Sequence, residues 1–315
     1  MVNTEQAQSA SSFLMLRPAA FGWNRETSTT NPFQARPTLP AAEVSQRATL
    51  EFEAVLDALR RVGVECFDFS DRTRPACPDA VFPNNWVSFH SDGTVVLYPM
   101  LSLRRRMERR LDLLDRLRRD GSFRLSRLVD LTHHELGGRY LEGTGSIVFD
   151  HRQRRAYACR SARTHPEVVE ALCDEIQYRP RLFSATDRNG QPIYHTNVMM
   201  TIGTRTAIVC AEAVAAGDRA WLLAELESSG REVLRINFRQ MRRFAGNALE
   251  MRTVSGQCVL IMSASARATL DRTLAQRLKS SVDLLVEVDI PVIESVGGGS
   301  VRCMLAEVFL PRSRN

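Results

Sequence analysis

The sequence predicts an α/β fold in which about five strand–helix units surround a common centre within one large domain. Short runs rich in Val, Ile, Phe and Tyr recur along the whole chain, as strands do. Between them lie longer stretches with apolar residues at every third or fourth position, the spacing of a helix with one buried face. The chain has 315 residues, of which 44% are hydrophobic, so it can bury a sizeable core.

The strands are predicted from β-branched and aromatic runs bounded by turn residues. We expect them at residues 13–16, 64–69, 86–89, 94–98, 147–150, 156–159, 181–184, 198–202, 206–209, 232–235, 258–262, 282–288, 292–295 and 304–308. This number is high for one open sheet.

The helices are predicted from apolar spacing at residues 43–61, 103–119, 166–175, 219–228 and 266–279. The units therefore recur about every ~60 residues, although no exact sequence repeat is visible. Residues 1–12 are polar and are expected to form a disordered tail, whereas residues 13–315 are expected to form the single domain. Loops at 83–85, 137–145 and 297–300 are unusual in composition, and loops are where binding and catalytic residues gather.

Composition excludes several classes of protein. The formal net charge of +6 comes from arginine, since Lys279 is the only lysine. The arginines are interspersed with acids, which argues against a nucleic-acid partner. No run reaches the ~18 apolar residues of a membrane helix. The N-terminus lacks the pattern of a secretory signal, and seven cysteines without a Cys-x-x-Cys pair fit a reducing compartment rather than a zinc site. We expect a cytoplasmic protein with no metal, no cofactor and no membrane partner.

Cys303 is a candidate nucleophile because it follows the glycine run Gly297-Gly298-Gly299 and precedes a predicted strand. Glycines let the backbone approach a ligand closely, and a cysteine at the end of such a loop can be activated by its surroundings. The alternative is a flexible turn followed by a buried structural thiol, which is the commoner role of cysteine.

His195 and Glu142 are candidates for proton transfer and ligand binding. His195 lies where a turn meets an apolar run, and an imidazole there could serve a cysteine as acid and base. Glu142 stands beside two glycines, and its carboxylate could accept hydrogen bonds from a guanidine or urea. The alternatives are a structural histidine and a solvated turn glutamate. His133 and His134 match no metal motif and are interpreted as a surface loop.

Two further segments carry polar side chains. Phe82-Pro83-Asn84-Asn85-Trp86 places amides among bulky aromatics, which suits a neutral polar ligand, although an asparagine turn is the alternative. The cluster Arg104–Arg106 with Arg109 and Arg110 lies on a predicted helix and is interpreted as a solvated face.

Taken in order, these segments resemble the guanidine-modifying enzymes, the pentein superfamily. The motifs are Leu16-Arg17-Pro18-Ala19, Phe82-Pro83-Asn84-Asn85, Glu142-Gly143-Thr144-Gly145, His195-Thr196-Asn197 and Gly297 to Cys303. The resemblance is greatest to the bacterial citrulline-utilisation hydrolase and amidinotransferase-like branch. It implies a five-bladed α/β propeller with the site in its central channel, which agrees with the number of units predicted from the strand and helix pattern.

The resemblance also implies roles for four residues. Cys303 would be the nucleophile, His195 the general acid and base, and Glu142 the carboxylate that binds the reacting group. Arg163 would hold the α-carboxylate of the substrate, a task that suits the paired donors of a guanidinium group. No cofactor is implied, and the expected partner is a small molecule, with a homo-oligomer possible.

Departures from the family pattern bear on the substrate. Asn85 and Asn197 stand where arginine deiminases have aspartates, and Gly145 stands where an aspartate often closes the second motif. Asn85 and Asn197 are expected to bind substrate, and Arg17 and Arg105 are further guesses. A buried guanidinium needs compensating negative charge, so fewer carboxylates favour a neutral ureido group.

We therefore expect hydrolysis of citrulline to ornithine, carbon dioxide and ammonia through a covalent adduct on Cys303. One alternative is an arginine deiminase, dihydrolase or amidinotransferase that acts on a guanidino group. An alternative of another class is a non-catalytic basic binding protein, whose binding would be sensitive to salt and indifferent to Cys303.

Overall fold

Five three-stranded sheets account for the strands between residues 7 and 313, the part of the chain that the computed structural model describes. The strands are β1 (Ser12–Arg17), β2 (Glu65–Ser70), β3 (Val87–Phe89), β4 (Thr94–Leu97), β5 (Arg127–Asp130), β6 (Val148–Asp150), β7 (Arg155–Cys159), β8 (Arg179–Phe183), β9 (Met200–Ile202), β10 (Thr206–Val209), β11 (Glu232–Arg235), β12 (Leu249–Arg252), β13 (Cys258–Ser263), β14 (Leu284–Val288) and β15 (Ala306–Glu307).

The helices lie mainly between the strands of each sheet. They are α1 (Arg25–Ser28), α2 (Ala41–Arg61), α3 (Leu103–Arg106), α4 (Asp112–Asp120), α5 (Gly143–Ser146), α6 (Pro166–Ile176), α7 (Ala216–Ser228), α8 (Phe238–Arg242), α9 (Ala264–Arg267) and α10 (Arg272–Ser280). Short 3₁₀ turns occur at Pro83–Asn85, Thr132–Gly137, Thr196–Val198, Ala211–Ala213 and Val301–Met304, and a π-helical turn at Ile293–Gly297.

Each sheet is one blade with the same pattern of pairing. Its middle strand runs antiparallel to one neighbour and parallel to the other, as β4 does with β3 and β5. The parallel pair needs a crossover, and α2, α4, α6, α7 and α10 supply it in the five blades. The predicted five-bladed α/β propeller is confirmed.

The first blade differs because it joins distant parts of the chain. Its order is β15–β1–β2, so the last strand pairs with the first, with Leu14 opposite Ala306. The other four blades are continuous in sequence. The ring of blades is therefore closed by hydrogen bonds between β1 and β15.

Helix α2 shows how the outer layer is held. Its buried residues are Val44, Ala48, Phe52, Val55, Leu56 and Leu59. They recur every three or four positions and form one apolar face. That face belongs to an apolar cluster that also contains Val259 and Ile261 of β13 and Val301 beside the candidate nucleophile. Packing of the helical layer thus supports the loops that reach the centre.

Short turns precede the antiparallel strand of the blades and point toward the centre. Pro83–Asn85 precedes β3, α5 precedes β6, Thr196–Val198 precedes β9 and Val301–Met304 precedes β15. Several of these turns contact one another. Helix α5 contacts both Pro83–Asn85 and Thr196–Val198, and Pro83–Asn85 also contacts Val301–Met304. The predicted functional motifs are therefore neighbours at one place in the ring.

Some predicted elements are wrong. Residues 292–295 form the start of the π-helical turn rather than a strand, because Glu51 accepts hydrogen bonds from the N–H groups of Val292 and Ile293. The helix predicted at 266–279 is two helices, since Asp271 caps the second by accepting from Leu274 N. The helix predicted at 103–119 is also two.

Strands β5 and β12 were not predicted. Three of the four residues of β5 are exposed, as expected of an outer edge strand, so no apolar run marks it. β12 carries the buried Glu250, whose carboxylate accepts from the backbone N–H of Thr204 at 2.9 Å. A paired carboxylate is tolerated inside, but it removes the apolar signal.

The predicted disordered tail is wrong over residues 7–12. Gln8 is buried, and its side-chain amide donates to the carbonyls of Phe149 and Ile202 at 3.0 and 3.1 Å. This polar side chain therefore forms hydrogen bonds with strand carbonyls rather than with solvent. Residues 1–6 of the predicted tail lie outside the described residues. No helix between residues 7 and 313 is long and apolar enough to cross a membrane.

Candidate active site

A small cavity lies where the short turns meet. The six predicted site residues are gathered here, four in its lining and two buried directly behind it: Cys303, His195, Asn85 and Arg163, then Glu142 and Asn197. The free volume is ≈ 20 Å³, close to the space of one water molecule. A molecule of amino-acid size can bind only after parts of the lining move.

Cys303 sits in the turn Val301–Met304 and is 5% exposed. Its sulfur lies 3.6 Å from the side-chain nitrogen of Asn197 and 3.4 Å from that of Asn247. Both side-chain amides are therefore placed to donate to the sulfur. A Cβ at Gly299 would lie 3.3 Å from the Cβ of Cys303 and 3.0 Å from the Phe82 ring, so glycine lets the loop pack closely there.

His195 and Glu142 form a buried pair. The Nε2 of His195 lies 2.9 Å from a carboxylate oxygen of Glu142. Glu142 also accepts from the backbone N–H of Leu101 at 3.2 Å. Gly145 packs against the imidazole, because a Cβ there would lie 2.8 Å from the ring.

Two arginines surround Glu142. Nη1 of Arg163 lies 3.3 Å and Nη1 of Arg105 lies 3.8 Å from its carboxylate. Burial alone would raise the pKa of Glu142, but Arg163, His195 and Arg105 outweigh it and hold that pKa below its usual range. Burial lowers the pKa of His195 to about 4, against the opposing effect of Glu142. Glu142 is thus ionised and His195 neutral near pH 7, with its Nε2 proton on the side of the carboxylate.

The interpretation of the arginine cluster as a solvated face is wrong for Arg105. It is only 2% exposed and donates to Asn85 Oδ1 at 2.7 Å and to Glu108 at 2.8 Å. Burial raises the pKa of Glu108 to about 8, although Arg105 opposes the shift. By contrast, Arg17, the other guess, lies away from the cavity and pairs with Glu53 and Asp68 at 2.5 and 2.9 Å.

Asp79 was not predicted, yet it lines the cavity. One of its oxygens accepts from Asn24 Nδ2 at 2.8 Å, and the other is buried with no hydrogen-bond partner among residues 7–313. Burial raises the pKa of Asp79 despite the nearby Arg105. The Nδ2 of Asn85 and the Oδ1 of Asn197 are likewise without partners in the described chain. Such groups are rare in interiors and are free to bind a polar ligand.

A covering segment, residues 24–36, closes the cavity. Arg163 donates to Thr27 O at 2.9 Å and to Thr30 Oγ1 at 2.6 Å. Asn31 and Gln34 donate to the carbonyls of Gly298 and Gly297, both at 3.0 Å. The same segment thus holds a predicted substrate-binding arginine and the glycine loop before Cys303.

The described part of the chain contains no cluster of side chains that could bind a metal ion. Between residues 7 and 313, no group of three or more His, Cys, Asp or Glu side chains is placed to hold a metal ion. The cysteines there are free thiols.

Comparison with protein families gives one match that covers most of the chain. The model of eukaryotic N,N-dimethylarginine dimethylhydrolase matches residues 17–310. No curated protein matches the sequence.

Solved structures share the fold at low sequence identity. ArgZ, an arginine dihydrolase from the ornithine–ammonia cycle in cyanobacteria, superposes with a TM-score of 0.73 and 16% identity over 96% of this chain. The chain spans 41% of the length of that protein. The N-terminal domain of ArgZ bound to substrate gives a TM-score of 0.72 and 16% identity, covering 95% of this chain and 99% of that domain.

A dimethylarginine dimethylaminohydrolase captured as an adduct with S-methyl-L-thiocitrulline is a further structural neighbour. Its TM-score is 0.64 and its identity 17%, with 94% of this chain and 99% of that chain covered. The propeller is therefore shared between this chain and enzymes whose substrates carry a guanidino or related group.

Proposed function

Because the chain belongs to the N,N-dimethylarginine dimethylhydrolase family of the pentein superfamily, we propose that it is a cysteine hydrolase that cleaves a C–N bond in the guanidino group of arginine or an N-methylated arginine. One observation carries the proposal. A thiol, a His–Glu pair and two arginines face one closed cavity, with Cys303 held between two asparagine amides.

The reaction would begin at Cys303. Its thiol proton passes to the neutral His195, whose cationic form is stabilised by Glu142 at 2.9 Å. The sulfur bonds to the guanidino carbon, and the departing nitrogen takes the proton from His195 and leaves as ammonia or an amine. A thiouronium adduct remains on the sulfur. Water, deprotonated by His195, then attacks the same carbon and the C–S bond breaks. His195 returns its proton to the departing thiolate, and the proton on the new oxygen is lost to the released ammonia or amine. The products are a ureido compound and one amine.

Acidic side chains in and near the cavity support a guanidinium substrate. The expectation of a neutral substrate rested on the asparagines at two motif positions. Asp79 and Glu108, which lie outside those motifs, bring two further carboxyl groups into the cluster of Glu142, Arg105 and Arg163. Asp79 lines the cavity and Glu108 pairs with Arg105, although burial raises the pKa of both carboxyl groups. The unpartnered Asp79 oxygen is an acceptor suited to a cationic N–H donor.

Recognition of an amino acid is proposed for Arg163. Its guanidinium bonds to Thr27 O and Thr30 Oγ1 in the closed cavity and stacks over the Tyr194 ring at 5.1 Å. Opening of the covering segment frees these donors, and a substrate α-carboxylate would replace the two oxygens with bidentate pairing. Asn85 and Asn197 are proposed to contact the reacting group.

A second candidate, hydrolysis of the ureido group of citrulline, is favoured by the orientation of Asn85. Arg105 takes the Oδ1 of Asn85 at 2.7 Å and leaves its Nδ2 without a partner. A free N–H donor suits a carbonyl oxygen, which a ureido group has and a guanidinium lacks. The same residues could therefore act a second time on the ureido product of arginine, giving ornithine, carbon dioxide and a second ammonia.

The test is steady-state turnover of the purified full chain with arginine, N,N-dimethylarginine and citrulline. Ammonia, dimethylamine, citrulline and ornithine are each measured. Arginine or its dimethyl derivative should be consumed; ornithine from arginine in excess of free citrulline would indicate two cycles. Consumption of citrulline alone would overturn the guanidino assignment in favour of the second candidate.

Cys303→Ala should abolish all turnover while circular dichroism stays unchanged. Cys66→Ala, which removes a partly buried thiol of β2, is the matched control and should keep activity. Undiminished turnover in Cys303→Ala would disprove the mechanism. Absence of turnover on all three compounds by the folded wild type, with salt-sensitive binding of a polyanion, would favour a basic binding protein instead.

A further inference from the structure

A second cavity lies outside the covering segment, separate from the one that holds Cys303. It has a volume of ≈ 500 Å³, and its walls include Pro32, Phe33, Arg188, Phe238, Arg239 and Arg242, which we call the arginine groove. This volume lies within the range of sites that bind small organic molecules. We propose that the arginine groove binds a nucleoside di- or triphosphate.

The lining of the groove carries three arginines and one carboxylate, that of Asp187, so its positive charge is only partly balanced. Arg188, Arg239 and Arg242 are exposed, and within residues 7–313 none of them forms an ion pair. The acid next to them, Asp187, turns one oxygen to the backbone N–H groups of Asn189 and Gln191 at 2.8 and 2.9 Å. Glu212 approaches only the backbone N–H of Phe238.

Some exposed arginines elsewhere in the fold are paired with acids. Arg127 pairs with Glu175, and Arg277 pairs with Glu232, both at 2.7 Å. Three unpaired guanidinium groups around one concave surface match the charge of a di- or triphosphate, and the paired N–H donors of arginine suit phosphate oxygens.

Flat surfaces in the groove suit a nucleobase. The guanidinium of Arg188 lies over the Phe238 ring at 5.5 Å, and that of Arg242 lies over the Phe33 ring at 5.0 Å. Bases stack on aromatic rings and on guanidinium planes. A stacked guanidinium still presents its edge N–H groups, so the same side chains can contact both base and phosphate. This combination of charge and planar apolar surface favours a nucleotide over an inorganic anion.

The groove shares a wall with the catalytic cavity. Arg242 donates to Pro32 O at 2.9 Å, and Phe33 packs against Tyr194 and Phe244 with ring centroids 5.9 and 4.9 Å apart. The Tyr194 hydroxyl donates to Gly298 O at 2.7 Å. A ligand in the arginine groove would therefore touch the covering segment. The binding itself does not depend on the proposed hydrolase activity.

Isothermal titration of the full chain with ATP, pyrophosphate and adenosine tests the proposal. We expect ATP to bind at low salt, pyrophosphate to bind at least ~10-fold more weakly and adenosine more weakly still, with ATP binding weakened by salt. No binding of ATP at millimolar concentration would overturn the proposal. Equal binding of pyrophosphate and ATP would overturn the nucleotide class, and equal binding of adenosine and ATP would overturn the role of the phosphates.

Variants locate the site. Arg188→Gln with Arg239→Gln should weaken ATP binding at least ~10-fold, since two charge-assisted contacts are lost. Arg242 is left intact because it holds the covering segment. Arg118→Gln with Arg119→Gln removes the same charge from exposed positions of α4 and should leave the affinity unchanged. Equal loss in both double variants would mean that ATP binds through general charge rather than in the groove.

Discussion

Glu142→Gln separates the proposed catalytic role of the buried carboxylate from its structural role. The substitution keeps the shape of the side chain and removes its charge. It leaves the guanidinium groups of Arg163 and Arg105, 3.3 and 3.8 Å away, without their shared anion. It also removes the carboxylate that accepts from His195 at 2.9 Å and would stabilise the imidazolium.

The size of the effect follows from these distances. At an effective dielectric constant of ~20, the two arginine contacts are worth about 5 and about 4 kcal/mol of Coulomb energy. Much of this is offset by the cost of burying the carboxylate, and removing one member of such a cluster destabilises a fold by ~3–5 kcal/mol. Loss of the imidazolium partner should lower kcat by at least ~100-fold, the size of a general acid–base contribution.

The assay combines urea unfolding followed by circular dichroism with turnover of arginine. The matched control is Asp150→Asn, which removes an equally buried carboxylate that pairs with Arg231 at 2.7 Å, outside the cavity. We expect both variants to lose several kcal/mol of stability and only Glu142→Gln to lose kcat. A kcat of folded Glu142→Gln within threefold of wild type, or the same loss of kcat in Asp150→Asn, would refute the reasoning.

Two further predictions concern packing and pH. Gly145→Ala should lower kcat/KM at least ~10-fold, because its methyl group would lie 2.8 Å from the ring of His195, and sub-ångström misplacement of a catalytic group is costly; steady-state kinetics measures it. Burial lowers the pKa of His90 to about 4. The unfolded chain, with a histidine pKa of ~6.5, binds a proton between these values that the folded chain does not, so this residue reduces stability by up to ~3 kcal/mol as pH falls from about 6.5 to 4. His90→Gln should lessen the acid loss of stability by this amount in urea unfolding.

Matched controls exist for both. Gly217→Ala, in the first turn of α7, meets no atom within 4 Å and should leave kinetics unchanged. Unaltered kinetics in Gly145→Ala would show that the imidazole tolerates displacement. His133→Gln changes an exposed histidine and should leave the pH dependence as in wild type. If His90→Gln lost as much unfolding free energy at acid pH as the wild type, burial of this histidine would not be the cause of the loss.

Sequence reasoning reached the fold class and the gathering of the motif residues because these depend on local patterns. Apolar periodicity marks α2, and the order of motifs places Cys303, His195 and Glu142 near one another. It failed where tertiary partners decide. Arg105 reads as a surface charge until Asn85 and Glu108 are seen to enclose it.

The missed site residues left weaker signals. Asp79 stands just before the apolar residues Ala80–Phe82, and an acid in such a position needs a buried partner or a ligand. Asn247 precedes β12. The charged Glu250 interrupts the apolar pattern of that strand, so neither the strand nor the turn before it was predicted. The preference for citrulline rested on an incomplete count of carboxyl groups, since counting them only at motif positions omitted Asp79. The comparisons with known proteins favour the guanidino alternative.

The pairing of β1 with β15 gives the protein a seam beside Cys303, the proposed nucleophile. Four blades can keep their hydrogen bonds while this blade separates, since each of them is made from neighbouring sequence. If β15 separated from β1, the turn Val301–Met304 would be displaced with it, because this turn leads directly into β15. On heating, catalytic power should then vanish at a lower temperature than helical content, because local opening precedes global unfolding where the connection is weakest. The stability of the turn that holds Cys303 would accordingly depend on the pairing of β15 with β1 and on the hydrogen bond from Val308 N to Ser12 O at 2.8 Å.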